Sequence, residues 1–256
     1  MSKLIWTTNR KEGVLMNQFT ILMGGTNGYG INDACILLCR LFGRLGYHVY
    51  GYNDFPSVIK GQHQHAVVRI ASQKITAHTL EADVVLALDQ ETLALHIGQG
   101  RPDAIVIVDL DKVSIADYFR QPTIGYPLTQ KVKATGGTNE MRPLCMAAIL
   151  CKQLGIQWSL IEEVMTKHHP AEFGLELELM HQLYDEVKQA TDGLDTFKNI
   201  LETTAISRTD SDVETPFPVM NGCQAISLGL LQSGLQAYSA YPMTPTSPIL
   251  EYLAGL

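Results

Sequence analysis

The sequence lacks three things, and each absence closes off a class of function. Its five cysteines include no Cys-x-x-Cys pair, so no iron–sulfur framework is written into the chain. Cys35 and Cys39 lie one helical turn apart. Two sulfurs do not make a cluster, and they read as small buried helix residues. An odd cysteine count without a secretory leader implies reduced thiols and a cytoplasmic setting. Basic charge is also in deficit: 19 Lys and Arg against 26 Asp and Glu give a net charge of −7. That argues against nonspecific nucleic-acid binding, which needs cations to displace counterions. No apolar run approaches the ~18 residues of a membrane span. The N-terminus carries Lys3, Arg10, Lys11 and Glu12 without an apolar stretch between them, so it does not read as a signal peptide.

What remains is an ordinary globular composition, 46% hydrophobic and 18% charged over 256 residues. This length suits one large or two modest domains and allows a sizeable core. Short Val, Ile and Leu runs at 18–23, 47–52, 66–71, 83–89 and 103–110 read as strands. Continuous apolar runs fit strands buried on both faces. The region 66–77 looks more like a hairpin, so a mixed sheet is expected. Residues 31–45 carry Ile31, Ala34, Cys35, Leu38, Leu41, Phe42 and Leu45 at helical spacing. Further helices are expected at 139–154 and 158–168, separated by Gly155, and at 171–190.

Between the first strand and its helix stand Gly24, Gly25, Gly28 and Gly30. Strand, glycine-rich turn and helix form the layout of a phosphate-binding unit. Glycines let the backbone approach an anion, and the helix N-terminus offers free N–H groups. The four glycines are candidate cofactor-binding residues on that ground. The turn does not complete G-x-G-x-x-G, and no Lys-Ser/Thr follows. A tight turn packing helix against sheet explains it equally well.

Residues 241–248 read Tyr-Pro-Met-Thr-Pro-Thr-Ser-Pro. Proline fixes φ and donates no hydrogen bond, so Thr244, Thr246 and Ser247 present hydroxyls from a stiff frame. A helix marked by Ala225, Leu228, Leu231 and Leu235, then a short strand at 237–241, are expected just before it. This segment resembles the Tyr-Pro-Ile-Thr-Pro-Ser-Ser motif of the 2-oxoacid:ferredoxin oxidoreductases. Upstream, Pro56, Ser57, Ile59, Lys60, Gly61 and His63, followed by Val68-Arg69, resemble that family's Tyr-Pro-Ser-x-Ile-Arg-Gly-Gly-His segment and its following strand. Two motifs in the family's order identify the chain as similar to an alpha subunit in which a gamma domain precedes the thiamine-pyrimidine domain. The resemblance leans toward the 2-oxoglutarate type.

The resemblance implies an α/β fold: a gamma-type domain with a mostly parallel or mixed sheet and flanking helices, then the beginning of a second α/β domain. The expected boundaries are 1–195, a linker at 196–218, and 219–256. It also implies thiamine-dependent oxidative decarboxylation of a 2-oxoacid to an acyl-CoA. Thiamine diphosphate and Mg2+ would be shared with or held by a beta subunit. Iron–sulfur clusters on a partner chain would pass electrons to ferredoxin, and coenzyme A would be the co-substrate. In this reading Thr244 is catalytic and substrate-binding, Tyr241 shapes the pocket, and Ser57 and Lys60 contact a distal carboxylate. The activating glutamate would lie beyond Leu256. About 40 residues cannot bury an α/β core alone, so the chain is expected to continue or to pack on another subunit.

Some residues depart from the pattern. Lys60 stands for Arg and loses the planar fork. Gln62 stands for Gly, where a positive φ would be strained. Gly222-Cys223-Gln224-Ala225 replaces Gly-Asn-Glu-Ala. His63 and His65 flank Gln64 and point to one side of a strand. With no third ligand nearby in sequence they read as polar surface or interface residues, and no metal site is assigned. His168 and His169 suit a helix C-terminus. Two other readings compete. In one, the N-terminal domain is a noncatalytic nucleotide- or coenzyme-binding module, and 219–256 is only an arm that docks on a partner subunit. A dinucleotide dehydrogenase is disfavoured, because Asn53-Asp54 runs straight into the Pro56 segment with no clear ribose-binding acid.

Overall fold

The computed structural model describes residues 18–56, 61–115, 121–168, 174–187, 218–241, 243 and 246–256. The chain divides into two units, Met1–Phe217 and Pro218–Leu256. In the first unit the described strands are β1 (Gln18–Thr26), β2 (His48–Asp54), β3 (His63–Ala71), β4 (Ala82–Ala87), β5 (Gly100–Asp109) and β6 (Thr123–Tyr126). They form one sheet in the order β2-β3-β1-β4-β5-β6. β1, β4, β5 and β6 run parallel, while β3 is antiparallel to both β1 and β2.

The sheet is thus mixed, as its strands imply. The antiparallel pairing of consecutive strands, however, is that of β2 with β3, and residues 72–81 form no strand. Central β4 is buried at every position, and β5 is buried from Ala104 onward, which is why their sequences lack polar alternation. On one face Leu22, Val67, Val85, Val106 and Val108 pack with Leu93 and Ile97.

Helix α1 (Ile31–Arg44) packs on β2, β3 and β1 through its apolar stripe. Gly46, at φ 84, closes it: Tyr47 N donates to Phe42 O at 3.0 Å. α2 (Gln90–His96) follows β4, with Asp89 as N-cap accepting from Thr92 N at 2.9 Å. α3 (Leu128–Ala134), α4 (Arg142–Gln153), α5 (Trp158–His168) and α6 (Gly174–Glu186) complete the unit. α4 is buried at 11 of its 12 positions, since α1, α3 and α6 all pack against it.

α2, β6 and α3 carry no strong sequence signal. Each spans seven residues or fewer, too short to show two full periods. The expected helix at 139–154 begins with a 3-10 turn at Asn139–Met141 before α4. The helix expected at 171–190 is described only as α6. Its outer residues lie outside the described set, as do residues 196–217 of the expected linker and His169.

In the second unit, α7 (Gly222–Gln232) packs on α8 (Ser247–Ala254). Asn221 and Gln224 form a reciprocal capping box. Gln224 therefore has a polar role at a position where the sequence departs from Gly-Asn-Glu-Ala. The strand expected at 237–241 does not form. A strand needs a neighbour to satisfy its backbone, and none is described in this unit.

Candidate functional site

The two sequence motifs of the first unit meet at one end of the sheet. β1 runs through Gly24 and Gly25 to Thr26, and the turn at Asn27–Gly30 leads into α1. Across it, Asn27 N donates to Gln62 O at 2.8 Å, and Gly61 N approaches Asn27 O at 3.5 Å. The end of the Pro56–Gln62 segment is therefore tied to the glycine turn. Ser57 and Lys60 lie outside the described residues. Gln62 needs no positive φ; that conformation falls on Gly61, at φ 102.

The glycines divide by what surrounds them. A Cβ on Gly24 would stand 2.5 Å from Thr92 Cγ2 and 3.0 Å from His63 Cε1. A Cβ on Gly25 would meet Leu88 and Ile31 at 3.1–3.3 Å. Gly30, at φ 84, would meet Glu140 O at 2.3 Å. These three admit close approach of the protein itself. Gly28, at φ 83, shapes the turn. Asp33 puts a carboxylate in the first turn of α1, which opposes an anion there.

On the adjoining face the fold assembles a cluster that sequence spacing did not reveal. His63 and His65, paired with Thr26 and Gly24 across the β3–β1 ladder, face His96 near the end of α2. His63 Nε2 lies 2.7 Å from His96 Nε2. The ring centroids of His65 and His96 are 4.4 Å apart, and those of His63 and His96 are 4.9 Å apart. His96 Nδ1 contacts Gln99 Oε1 at 3.1 Å, and His65 Nδ1 contacts Asp54 Oδ2 at 3.6 Å. Burial, then the neighbouring His96 charge, pushes the pKa of both His63 and His65 down. The third imidazole was missed because α2 itself gave little signal. Alternation in His63-Gln64-His65-Ala66-Val67 was the available clue.

Tyr241, in the second unit, is 80% exposed, and Met243 beside it is exposed as well. Thr244 lies outside the described residues. A cavity of about 570 Å3 opens elsewhere in the first unit, lined by Phe19, Phe42, Tyr47, Ile70, Ile156 and Leu160 among others. None of the motif residues lines it, so it adds nothing to the reading of the glycine turn. Among the described residues no helix is long and apolar enough to cross a membrane.

Known proteins resemble this chain in sequence or in fold. The alpha subunit of 2-oxoacid:ferredoxin oxidoreductase 2 from Aeropyrum pernix is 30% identical over 134 residues, which is 52% of this chain and 21% of that subunit. The alpha subunit of 2-oxoacid:ferredoxin oxidoreductase 1 from Sulfurisphaera tokodaii is 29% identical over 75 residues, 29% of this chain and 12% of that subunit. The chain thus matches about a fifth or less of those relatives' length. Among solved structures, the 2-oxoglutarate:ferredoxin oxidoreductase of Magnetococcus marinus superposes with a TM-score of 0.69 at 22% identity, covering 93% of this chain and 41% of that one. A keto/oxoacid ferredoxin oxidoreductase gamma subunit from Geobacter sulfurreducens gives a TM-score of 0.56 at 15% identity, covering 66% of this chain and 97% of that one. The shared feature is the fold at these identities. The model of the pyruvate ferredoxin/flavodoxin oxidoreductase family matches residues 20–182, more than half of the sequence, and the chain belongs to that family.

Proposed function

We propose that this chain acts within an alpha-type subunit of a 2-oxoacid:ferredoxin oxidoreductase and takes part in thiamine-dependent oxidative decarboxylation, with 2-oxoglutarate as the favoured substrate. The observation that carries this reading is the pairing in one chain of a family-matched first unit, 20–182, with the Tyr-Pro-Met-Thr-Pro segment of the second. The Magnetococcus marinus relative, whose superposition covers 93% of this chain, was solved with 2-oxoglutarate, coenzyme A and succinyl-CoA bound.

Thiamine diphosphate would supply the carbon–carbon bond cleavage, and this chain would orient the substrate beside it. The metal-capable cluster among the described residues is three imidazoles without a carboxylate. Such a set does not suit the Mg2+ of a diphosphate site, which takes oxygen ligands. We therefore assign thiamine diphosphate and Mg2+ to a beta-type partner, and the iron–sulfur cluster to a partner chain. Thr244 donates a hydrogen bond to the substrate's oxo or carboxylate oxygen, and Tyr241 shapes the same pocket. The exposure of Tyr241 fits a half-pocket that a partner completes. Ser57 and Lys60 read the distal carboxylate, a hydroxyl and a cation matched to an anion. The turn at Gly24, Gly25, Gly28 and Gly30 is assigned to coenzyme A through its backbone N–H groups alone, because protein atoms fill the space beside Gly24, Gly25 and Gly30.

The test is the complex purified with its copurifying subunits, assayed for coenzyme A-dependent reduction of ferredoxin by 2-oxoglutarate, pyruvate and branched-chain 2-oxoacids. Activity that falls about tenfold or more in Thr244→Val supports the role of Thr244. Unchanged turnover removes it. Lys60→Ala should impair 2-oxoglutarate use more than pyruvate use, and equal losses remove the carboxylate-reading role of Ser57 and Lys60. Coenzyme A binding by the chain without any 2-oxoacid turnover in the complex would replace this reading with a noncatalytic coenzyme-binding module.

A further inference from the structure

We propose that His63, His65 and His96 form a tris-imidazole site for a divalent metal ion of the zinc class, clamping β3 to α2. One coordinating atom from each ring lies within 4.8 Å of the others. Tetrahedral zinc with Zn–N bonds of about 2.0–2.1 Å needs nitrogens about 3.3 Å apart. The 2.7 Å His63–His96 contact is tighter than that, and the widest separation is looser. Ring movements of about an ångström close the three onto one ion.

The surroundings have the composition that holds metal-binding imidazoles in place. A ligating histidine commonly gives its second ring nitrogen to a carboxylate or carbonyl oxygen, which fixes the tautomer. Gln99 Oε1 does this for His96 at 3.1 Å, and the Asp54 carboxylate stands 3.6 Å from His65. That leaves Nε2 of His96 and of His65 for the cluster; His63 turns its own Nε2 to it, and its Nδ1 is buried without a hydrogen-bond partner. Asp89, Glu91 and Asp54 lie close enough to act electrostatically on His63, and their negative charge offsets that of a bound cation. Gly24 is the space the cluster needs, since any Cβ there would press on Thr92 and on the His63 ring.

A hydrogen bond between two neutral imidazoles accounts for the His63–His96 contact alone. It does not account for the third ring stacked beside them, with its own carboxylate, on a face otherwise continued by Val67 and Leu93. With three nitrogen ligands and no thiolate or carboxylate in the set, the site suits Zn2+ or Co2+ over Mg2+ or Ca2+. A fourth position stays open to water or to a group from elsewhere. The ion would fix β3 immediately after Gly61 and Gln62, which anchor the Pro56–Gln62 segment to the glycine turn.

The experiment uses the 256-residue chain, stripped with EDTA and titrated with Co2+ and then Zn2+. Visible absorption reads Co2+ geometry, elemental analysis reads stoichiometry, and circular dichroism reports folding. The expected result is one equivalent per chain, intense bands of a four-coordinate Co2+ displaced by Zn2+, and a rise in Tm with metal. His65→Gln and His96→Gln should each weaken binding about tenfold or more. His78→Gln should leave it unchanged, because His78 stacks on Tyr52 outside the triad. His65 is partly exposed, so its variant tests the site even if His96→Gln fails to fold. Absence of stoichiometric Co2+ in the folded wild-type chain overturns the proposal. So does binding that His65→Gln leaves intact.

Discussion

Arg142 and Asp109 form a buried ion pair, with Arg142 Nη2 2.7 Å from Asp109 Oδ2 and the aspartate side chain fully enclosed. The guanidinium also donates through Nε at 3.1 Å and to the Leu88 carbonyl, while Thr129 donates its hydroxyl to the same carboxylate at 2.6 Å. One arginine thereby joins the start of α4 to the ends of β4 and β5. Removing one partner of such a pair leaves an uncompensated charge in the interior. Arg142→Met should cost about 3–5 kcal/mol in urea unfolding. The double variant Asp109→Asn/Arg142→Met should lose much less than the sum of the two single losses. Additive losses would show that the pair does not couple.

Gly30 and Gly61 both sit at positive φ, 84 and 102 respectively, but only Gly30 is enclosed. A Cβ at Gly30 would lie 2.3 Å from the backbone oxygen of Glu140, whereas at Gly61 nothing lies within 4 Å. Gly61→Ala should cost only the backbone strain, about 1–2 kcal/mol. Gly30→Ala adds a clash with main chain that cannot rotate away, so its thermal midpoint should fall clearly further. Equal shifts would mean that the turn moves as a body away from Glu140.

The central strands and α1 could be read from the sequence because tertiary context and local pattern agree there. β4 and β5 are apolar runs in a sheet interior, and Ile31, Ala34, Leu38, Leu41 and Phe42 keep helical spacing. The misses have one cause: order imposed by packing, not by local period. β6 is four half-buried residues at a sheet edge, held by β5. The expected strand at 237–241 had β-like residues but no partner. The histidine cluster was half legible. His63 and His65 share a face by alternation, but His96 arrives through a β-strand, a crossover and a seven-residue helix. The glycine turn was visible as a turn. Its packing against Thr92, Leu88 and Glu140 came from long-range neighbours, which spacing does not encode.

The thiols should separate by burial. Cys145 and Cys151 are buried, and desolvation pushes both thiols up to about 12. Cys35 and Cys39 are buried together on α1: the thiol hydrogen bond between them draws Cys35 down and pushes Cys39 up. Cys223, in the second unit, is partly exposed. A disulfide-exchange reagent applied to the folded chain at mildly alkaline pH should modify one thiol quickly and the other four only on unfolding. Cys223→Ser should abolish the fast phase, because the thiolate is the reacting species and access limits the rest. Two fast equivalents in the wild-type chain would place a second thiol at the surface and contradict this packing.

Gly24 offers a test of how closely β1 approaches α2. A methyl group there would stand 2.5 Å from Thr92 Cγ2 and 2.9 Å from its Oγ1. Thr92 is fully buried, and its hydroxyl donates to Asp89 Oδ1 at 2.7 Å while its amide donates the N-cap bond to the same oxygen. Gly24→Ala must therefore push Thr92 off its partner or strain the strand. Overpacking of this kind costs about 1–3 kcal/mol. Thr92→Ala alone loses a hydrogen bond and a buried methyl, at about 1–2 kcal/mol. In the double variant Gly24→Ala/Thr92→Ala the added methyl enters space that the threonine vacates. Its loss of stability in urea should fall short of the sum of the two single losses by about 1 kcal/mol. The residual contact to His63 Cε1 at 3.0 Å keeps the rescue incomplete. Strict additivity would mean that the strand yields, not the helix, and that Gly24 is not what sets the spacing between β1 and α2.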